Sequence, residues 1–168
     1  MEPYRILMVC MGNICRSPTA EVVLRHKLPA AGLAGRVLVE SAGTHAGWHA
    51  GEGADHRAKR HAANRGYDLS THRARALRRD DSERHDLVLA MDWENLVELG
   101  QRWQDVPVGR IRRLSEFARR FVTQDFVPDP YQGGPEDFER VLDLVEDACD
   151  GLLLALPEQI RVARKGTS

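Results

Sequence analysis

Short apolar runs bounded by turn residues recur along the chain. The clearest are Arg5 to Val9, Val37 to Glu40 and Asp86 to Met91, and a weaker one extends from Val108 to Leu114. Apolar runs of this length, flanked by Gly, Asn, Asp or Pro, are typical of buried β-strands. We therefore predict a strand at each of these positions.

Stretches with helical features separate and follow these runs. The predicted helices cover Pro18 to Leu28, His56 to Asn64, Trp93 to Leu99, Ser115 to Phe121, and a last segment that opens at Pro135. Glycines follow the first three, as is common after a helix C-terminus, and the last segment shows apolar residues at helical spacing as far as Leu152. The segments Ala46 to Gly53 and Thr123 to Gly134 are predicted loops.

Strands that alternate with helices are typical of α/β folds, in which helices cover both faces of a parallel sheet. The sequence has 168 residues and no internal repeat, which is enough for one well-buried core but short for two. We therefore expect a single domain over residues 1–168. In such sheets the ligand site lies beyond the carboxyl ends of the strands.

Charge and hydropathy narrow the class of protein. The formal net charge is −1 and the sequence pI is about 6.7, so the chain as a whole does not attract nucleic acid or an anionic membrane. No stretch approaches the roughly 20 apolar residues of a membrane-spanning helix, and Arg5 lies where a secretory signal has its apolar run. We expect a cytoplasmic protein, with secretion by a non-classical route left open.

The three cysteines are an odd number in a chain without an export signal, which favours reduced thiols over a disulfide framework. Cys149 falls on the apolar face of the last predicted helix and is most simply a core residue. Cys10 ends the first predicted strand. The four residues between Cys10 and Cys15 are a wide spacing for metal ligands, and no second pair follows.

The segment VCMGNICRSPTAE, from Val9 to Glu21, has the composition of an anion-binding turn. Gly12 and Asn13 tolerate positive φ, so successive backbone N–H groups can converge ahead of a helix that begins near Ser17. A helix N-terminus attracts anions, and the planar guanidinium of Arg16 matches two phosphate oxygens. A phosphate-like oxyanion is therefore the expected ligand.

A thiol at the base of that turn is placed for nucleophilic catalysis. The helix N-terminus, the inward N–H groups and Arg16 all favour the thiolate of Cys10 over the thiol. Attack on a bound phosphoryl group would give a cysteinyl-phosphate, and Ser17 could then donate a hydrogen bond to the departing sulfur. The alternative is that Cys10 and Cys15 are ordinary buried thiols near a strand end.

A phosphoryl transfer of this kind needs a proton donor for the leaving group, worth about 100-fold or more in rate. The segment VPDPYQGG supplies a candidate, because Asp129 stands between Pro128 and Pro130, which stiffen a glycine-rich loop. Taken alone, Asp-Pro is a common turn signal. The Cys10 loop is what gives Asp129 the role of general acid and base.

Together these two segments resemble the low-molecular-weight protein tyrosine phosphatases, whose signature is Cys-x5-Arg-[Ser/Thr] near the N-terminus and a late Asp-Pro-Tyr. Here they read CMGNICRSP and DPY, and SAGT at Ser41 to Thr44, STHRAR at Ser70 to Arg75 and DLVLAMDWENL at Asp86 to Leu96 extend the likeness over nearly the whole chain. The resemblance implies an α/β fold with a four-stranded, twisted parallel sheet flanked by helices. It also implies a phosphate-binding loop after the first strand.

The resemblance assigns roles to individual residues. It makes Cys10 the nucleophile, Arg16 the phosphate clamp and Asp129 the general acid and base. Around the phosphate it places the loop residues Met11, Gly12, Asn13, Ile14, Cys15 and Ser17. Ser41 and His72 would join Asn13 and Ser17 in a hydrogen-bond network that holds the loop, whereas Asp92 either orients the loop or caps the next helix.

Two aromatic residues are implied as the walls of the substrate pocket. Trp48 and Tyr131 would admit an aromatic ring and select phosphotyrosine over the shorter phosphoserine. Many members of the family carry a second aromatic residue where this sequence has Gln132. The segment HAGWHAGEG around Trp48 is also shifted relative to the family's pattern. A different expectation for Trp48 is that it covers a patch of core.

Rival functions on the same fold stay open at this point. Thioredoxin-coupled arsenate reductases need a further cysteine pair in the second half, where only Cys149 is available. Protein-arginine phosphatases tend to have threonine at the loop position of Ile14, so the apolar side chain favours an aryl phosphate. A non-catalytic phosphotyrosine-binding or oxyanion-binding module is the third alternative, and the intact Cys10, Arg16 and Asp129 argue against it.

The implied partners are a tyrosine-phosphorylated protein substrate and a tyrosine kinase, without nucleic acid, membrane insertion, metal or other cofactor. His45, His49, His56 and His61 are irregularly spaced, which favours solvated side chains over a metal site. Redox sensitivity is a further hypothesis. A sulfenic acid on Cys10 could be captured by Cys15 as a disulfide that protects the nucleophile from further oxidation.

Overall fold

The computed structural model describes residues 1–166 and contains one parallel sheet. Its strands are Tyr4–Cys10 (β1), Val37–Gly43 (β2), Leu87–Ala90 (β3) and Ile111–Arg113 (β4), in the order β2-β1-β3-β4. Strand β1 is central and pairs with both β2 and β3. The α/β class and the four-stranded parallel sheet are thus confirmed.

Five α-helices accompany the sheet within residues 1–166. They are Arg16–Lys27 (α1), His56–Asn64 (α2), Asp81–Arg84 (α3), Trp93–Arg102 (α4) and Pro135–Lys165 (α5). Single 3-10 turns occur at Pro29–Ala31, Gly47–His49 and Leu114–Phe117. None of the helices in this described part is both long and apolar enough to cross a bilayer.

Alternation along β1 divides the core between the two faces of the sheet. Ile6, Met8 and Cys10 belong to the larger apolar cluster, which includes side chains of α1, α2 and α5. Leu7 and Val9 belong to a smaller cluster that includes Leu99 of α4. Helices therefore cover both faces, as the alternation of strands and helices predicts.

The predicted helix from Ser115 to Phe121 is wrong beyond its first turn. Only Leu114–Phe117 forms a 3-10 turn, and the chain then leaves the helical path. The buried carboxylate of Asp147 in α5 accepts hydrogen bonds from the backbone N–H groups of Arg119, Arg120 and Phe121 at 3.0–3.1 Å. A helix would bond those N–H groups to its own carbonyls, so the long-range carboxylate replaces the helix.

Three smaller differences concern the bounds of β4 and α5 and a short helix, α3, that was not predicted. Strand β4 is only three residues long, and α5 continues to Lys165, well past the apolar spacing that predicted it. The short helix α3 has too few residues to give a periodic pattern.

Because β1 ends at Cys10 and α1 begins at Arg16, the loop between them lies at the carboxyl edge of the sheet.

Candidate active site

The loop from Met11 to Cys15 joins β1 directly to α1 and depends on one unusual backbone conformation. Asn13 has φ of 57°, and within residues 1–166 it is the one non-glycine residue with positive φ. Gly12 is not among the positive-φ residues, so of the two residues expected to tolerate this conformation only Asn13 adopts it. Asparagine tolerates the left-handed region better than most side chains, but the conformation still needs support.

Four neighbours supply that support through hydrogen bonds. The Asn13 amide nitrogen donates to the hydroxyls of Ser17 at 2.9 Å and Ser41 at 3.0 Å. Its amide oxygen accepts from the backbone N–H of Arg75 at 2.9 Å, and its backbone carbonyl accepts from Nε2 of His72 at 2.7 Å. The predicted network of Asn13, Ser17, Ser41 and His72 is therefore present in the structure, with Arg75 in addition.

Sequence reasoning missed two residues that complete this support. Glu21 of α1 accepts a hydrogen bond from the Ser41 hydroxyl at 2.6 Å. At Gly43 of β2, a Cβ atom would lie 2.6 Å from the carbonyl oxygen of Met11 and 3.1 Å from the Asn13 nitrogen, so only glycine allows this approach. The SAGT segment, which carries part of the family resemblance, contains both Ser41 and Gly43. That segment could have identified Gly43 from the sequence.

Cys10 lies at the base of the loop and is almost fully buried, with 2% of its surface exposed. Its sulfur is 2.9 Å from the hydroxyl oxygen of Ser17. Because that oxygen already accepts from the Asn13 amide, the Ser17 proton is free to point at the sulfur. The cleft above Cys10 has a volume of about 490 Å³ and is lined by the loop, Trp48 and Tyr131, among others.

Arg16, the first residue of α1, is held from two sides. Its Nη1 donates to the Asp92 carboxylate at 2.6 Å and to the carbonyl of Val127 at 3.0 Å. Burial opposes the charged guanidinium, but the charge of Cys10 and the hydrogen bond to Asp92 outweigh it and keep the Arg16 pKa above its ordinary value. The fork is therefore fixed and charged before any ligand arrives.

Asp92 makes a contact that matches each of the two roles left open by the sequence. Its Oδ1 accepts from the backbone N–H of Asn95 at 2.8 Å, which caps α4, and its Oδ2 receives Arg16. The Asn95 side chain reaches back to the backbone N–H of Asp92 and completes a capping box. One carboxylate thus ties the start of α4 to the anion-binding loop.

Asp129 extends from the loop before α5 towards the same cleft. Its Oδ2 lies 3.8 Å from Nη2 of Arg16, and its Oδ1 accepts from the backbone N–H of Tyr131 at 3.1 Å. The carboxylate keeps 47% of its side-chain surface exposed, so solvent and a ligand can both reach it. The structure therefore brings Cys10, Arg16 and Asp129 to one cleft.

Comparison with known proteins identifies the family to which the chain belongs. The sequence model described as "Low molecular weight phosphotyrosine protein phosphatase" matches residues 5–163. The chain belongs to this family. A low molecular weight protein-tyrosine-phosphatase of Streptomyces coelicolor is 43% identical over 159 residues, which cover 94% of this chain and 96% of that protein.

Solved structures of the family share the fold. A protein tyrosine phosphatase of Entamoeba histolytica has a TM-score of 0.86 at 36% identity, covering 92% of this chain and 97% of that one. Wzb of Vibrio vulnificus, solved in complex with benzylphosphonate, has a TM-score of 0.77 at 30% identity, covering 89% and 97%. Low molecular weight protein tyrosine phosphatases are hydrolases, so this chain is a hydrolase of that family, and the cleft over Cys10 is its candidate active site.

In this low molecular weight phosphatase, Trp48 and Tyr131 stand at the rim of the cleft. Trp48 is 92% exposed, so the expectation that it covers a patch of core is wrong. Tyr131 is 45% exposed, and the guanidinium carbon of Arg57 lies 5.5 Å from its ring centroid. Gln132 also lines the cleft and leaves that side without a second aromatic ring.

The other thiols of the phosphatase are buried and unbonded. Cys15 and Cys149 are free, and burial raises the pKa of each well above the ordinary value for a thiol. The described residues contain no group of three or more His, Cys, Asp or Glu side chains that could hold a metal ion. Capture of oxidised Cys10 by Cys15 stays a prediction.

Proposed function

We propose that this chain hydrolyses phosphotyrosine in proteins through a cysteinyl-phosphate intermediate on Cys10. The observation that carries the proposal is the sulfur of Cys10 at the base of a loop that ends in the fixed guanidinium of Arg16. Because a strand end, a nest of backbone N–H groups and a helix N-terminus meet there, a phosphate group fits with its charge compensated. Met11, Gly12, Asn13, Ile14, Cys15 and Ser17 make up this phosphate-binding loop.

In the first step, the Cys10 thiolate attacks phosphorus, the sulfur–phosphorus bond forms and the bond to the tyrosine oxygen breaks. Arg16 and the loop N–H groups hold the charge that develops on the equatorial oxygens. Asp129 donates its proton to the leaving phenolate oxygen, a role that its exposed position above the cleft supports.

In the second step, Asp129 removes a proton from water, the water oxygen attacks phosphorus and the bond to sulfur breaks. The Ser17 hydroxyl, 2.9 Å from the sulfur, stabilises the departing thiolate. The products are inorganic phosphate and the enzyme with Cys10 again as thiolate, so the cycle needs no cofactor.

The shape of the cleft supports an aromatic phosphate ester as substrate. Cys10 is buried at its base, whereas Trp48 and Tyr131 stand at its rim, so a phosphoryl group must be carried inward on a long, flat side chain. Phosphotyrosine meets that requirement and phosphoserine is too short. The related Wzb of Vibrio vulnificus was solved in complex with benzylphosphonate, and a ligand that joins an aromatic ring to a phosphonate supports an aromatic substrate for this chain as well.

Two rival reactions find less support. An arsenate reductase of this fold relays oxidation through further cysteines, which must be near the surface. Cys149 in α5 is instead fully buried in the core. Ile14 lines the cleft with an apolar side chain, which suits a phenyl ring better than the guanidinium of phosphoarginine. The further parts of the proposal are that the chain acts in the cytoplasm and that a tyrosine kinase supplies its phosphoprotein substrate.

Steady-state hydrolysis of three peptides that differ only in phosphotyrosine, phosphoserine or phosphoarginine tests the proposal. We expect turnover of the phosphotyrosine peptide alone, abolished in Cys10→Ser and retained in the matched control Cys149→Ser. A preference for phosphoarginine would show that the apolar side chain of Ile14 does not select an aryl phosphate, and the substrate assignment would be wrong. Absence of turnover on all three would contradict the hydrolase mechanism.

A further inference from the structure

A second cleft opens beside the active site. It has a volume of about 520 Å³ and lies over the start of α4 and the loop before α5. It shares Met11, Arg16, His45 and Asp129 with the cleft over Cys10, so the two clefts adjoin. The residues that flank a phosphotyrosine bound at Cys10 are therefore within reach of this second cleft.

Three large apolar side chains line the second cleft while partly exposed to solvent. Met11 is 51% exposed, Trp93 47% and Phe126 36%. The Trp93 ring is held in place, because the Arg113 guanidinium carbon lies 3.9 Å from its centroid and its Nε1 donates to Asp125 at 3.2 Å. A preorganised apolar wall of this kind favours binding of an aliphatic chain.

The charges in the second cleft are mostly negative. Its lining includes four carboxylates, on Asp92, Glu94, Glu98 and Asp129, against the guanidinium of Arg16, and the guanidinium of Arg113 stacks on the Trp93 ring. Asp92 is paired with Arg16, and Glu98 with Arg102 at 2.8 Å. Glu94 has no ion-pair or hydrogen-bond partner within residues 1–166, so its carboxylate is available to a ligand.

We infer that the second cleft selects substrates with a lysine or arginine within two residues of the phosphotyrosine. Such a side chain joins an aliphatic stem, which suits the wall of Met11, Trp93 and Phe126, to a cation, which suits Glu94. An acidic side chain would instead face the carboxylates of the cleft. The inference rests on the proposed function, since it concerns the residues that flank the scissile phosphate.

Glu94 has a second role that the test must separate from binding. It lies in the first turn of α4, where a carboxylate favours the helix N-terminus. Substitution there will lower the stability of the helix whatever the cleft binds. The readout must therefore be a ratio between two substrates of one folded enzyme, with the thermal midpoint of each variant recorded beside it.

The experiment uses a phosphotyrosine peptide with alanine at two positions on each side, each replaced in turn by lysine or glutamate. We measure kcat/KM for wild type, Glu94→Gln, Glu94→Lys and the control Glu83→Lys, an exposed residue in the first turn of α3. At one or more positions, wild type should prefer lysine over glutamate by about fivefold, the factor expected for one exposed charge pair. Glu94→Gln should bring this ratio close to one, Glu94→Lys should invert it, and Glu83→Lys should keep it.

A lysine-to-glutamate ratio of one at all four positions in wild type would overturn the inference, and so would a ratio that Glu94→Lys leaves unchanged. The all-alanine peptide and p-nitrophenyl phosphate separate this failure from a failure of the proposed function. If wild type hydrolyses both of these substrates but shows a lysine-to-glutamate ratio of one at all four positions, only the second cleft is misassigned. If it hydrolyses neither, the phosphatase mechanism itself fails and the inference falls with it.

Discussion

The hydroxyl oxygen of Ser17 lies 2.9 Å from the sulfur of Cys10 and accepts a hydrogen bond from the Asn13 amide, also at 2.9 Å. The amide therefore orients the hydroxyl, so that its proton points at the sulfur. The same asparagine adopts the positive φ that shapes the loop. One residue thus links the shape of the anion site to the stabilisation of the nucleophile.

Ser17→Ala should lower kcat by roughly 10- to 150-fold, because a hydrogen bond to a charged sulfur is worth about 1.5–3 kcal/mol and each 1.4 kcal/mol is about tenfold in rate. The loss should fall on breakdown of the phosphoenzyme, where the thiolate departs. Stopped-flow hydrolysis of p-nitrophenyl phosphate should then show a burst of nitrophenol followed by a slower steady state.

Ser41→Ala is the matched control for that variant. Ser41 also accepts from the Asn13 amide, but no hydrogen bond links it to Cys10. We expect it to change the shape of the loop without a selective loss in phosphoenzyme breakdown. An equal burst in both variants would mean that Ser17 acts on loop geometry rather than on the sulfur.

Arg16→Lys should lower kcat/KM by roughly 100- to 1000-fold, the loss typical of a removed oxyanion donor. Lysine keeps the charge but lacks the planar fork, in which Nη1 donates to Asp92 and Val127 while the other nitrogens stay available to the phosphate. Steady-state kinetics with a phosphotyrosine peptide measures the loss. Near-normal activity in Arg16→Lys would contradict the clamp.

Asp129→Asn should slow phosphoenzyme formation most for leaving groups with a high pKa. We expect a loss of about 100-fold with phenyl phosphate and only a few-fold with p-nitrophenyl phosphate, whose anion needs no proton to depart. Asp125→Asn, on the same loop, is the control and should show no dependence on the leaving group. A uniform loss across leaving groups would remove Asp129 as the acid.

The chemical residues of the site were predictable because they lie at positions where a local pattern has one good explanation. Cys10, Asn13, Arg16 and Ser17 belong to a single strand-loop-helix segment. What the sequence could not give was the support from distant elements. Arg75 contributes only its backbone N–H to Asn13, and a backbone contact leaves no mark on residue type.

The fold was predictable where the apolar pattern was long and failed where a tertiary contact overrides a local preference. Strand β1 and the start of α5 follow directly from their apolar residues. The segment after Phe117 does not, because the carboxylate of Asp147, some 26–28 positions away, takes up its N–H groups. No local window contains that information.

A close approach between Gly151 of α5 and Phe117 fixes the same region. A Cβ atom at Gly151 would lie 1.7 Å from the Phe117 carbonyl oxygen. Gly151→Ala should therefore lower the free energy of unfolding by about 1–3 kcal/mol, the usual cost of forcing atoms into a packed site. Urea denaturation measures this change.

Gly100→Ala in α4 is the matched control, because no heavy atom lies within 4 Å of a Cβ built there. The same substitution should raise the free energy of unfolding by up to about 1 kcal/mol, the difference in helix propensity. Equal effects of the two substitutions would contradict the packing argument.

The most direct test of the mechanism is to trap the covalent intermediate. The enzyme is mixed with a phosphotyrosine peptide labelled in its phosphate, quenched within one turnover and digested, and the label is located by mass spectrometry. We predict phosphate on the sulfur of Cys10, none in Cys10→Ser, and more in Ser17→Ala than in wild type. Phosphotyrosine hydrolysis without label on Cys10, or continued hydrolysis by Cys10→Ser, would contradict the cysteinyl-phosphate mechanism.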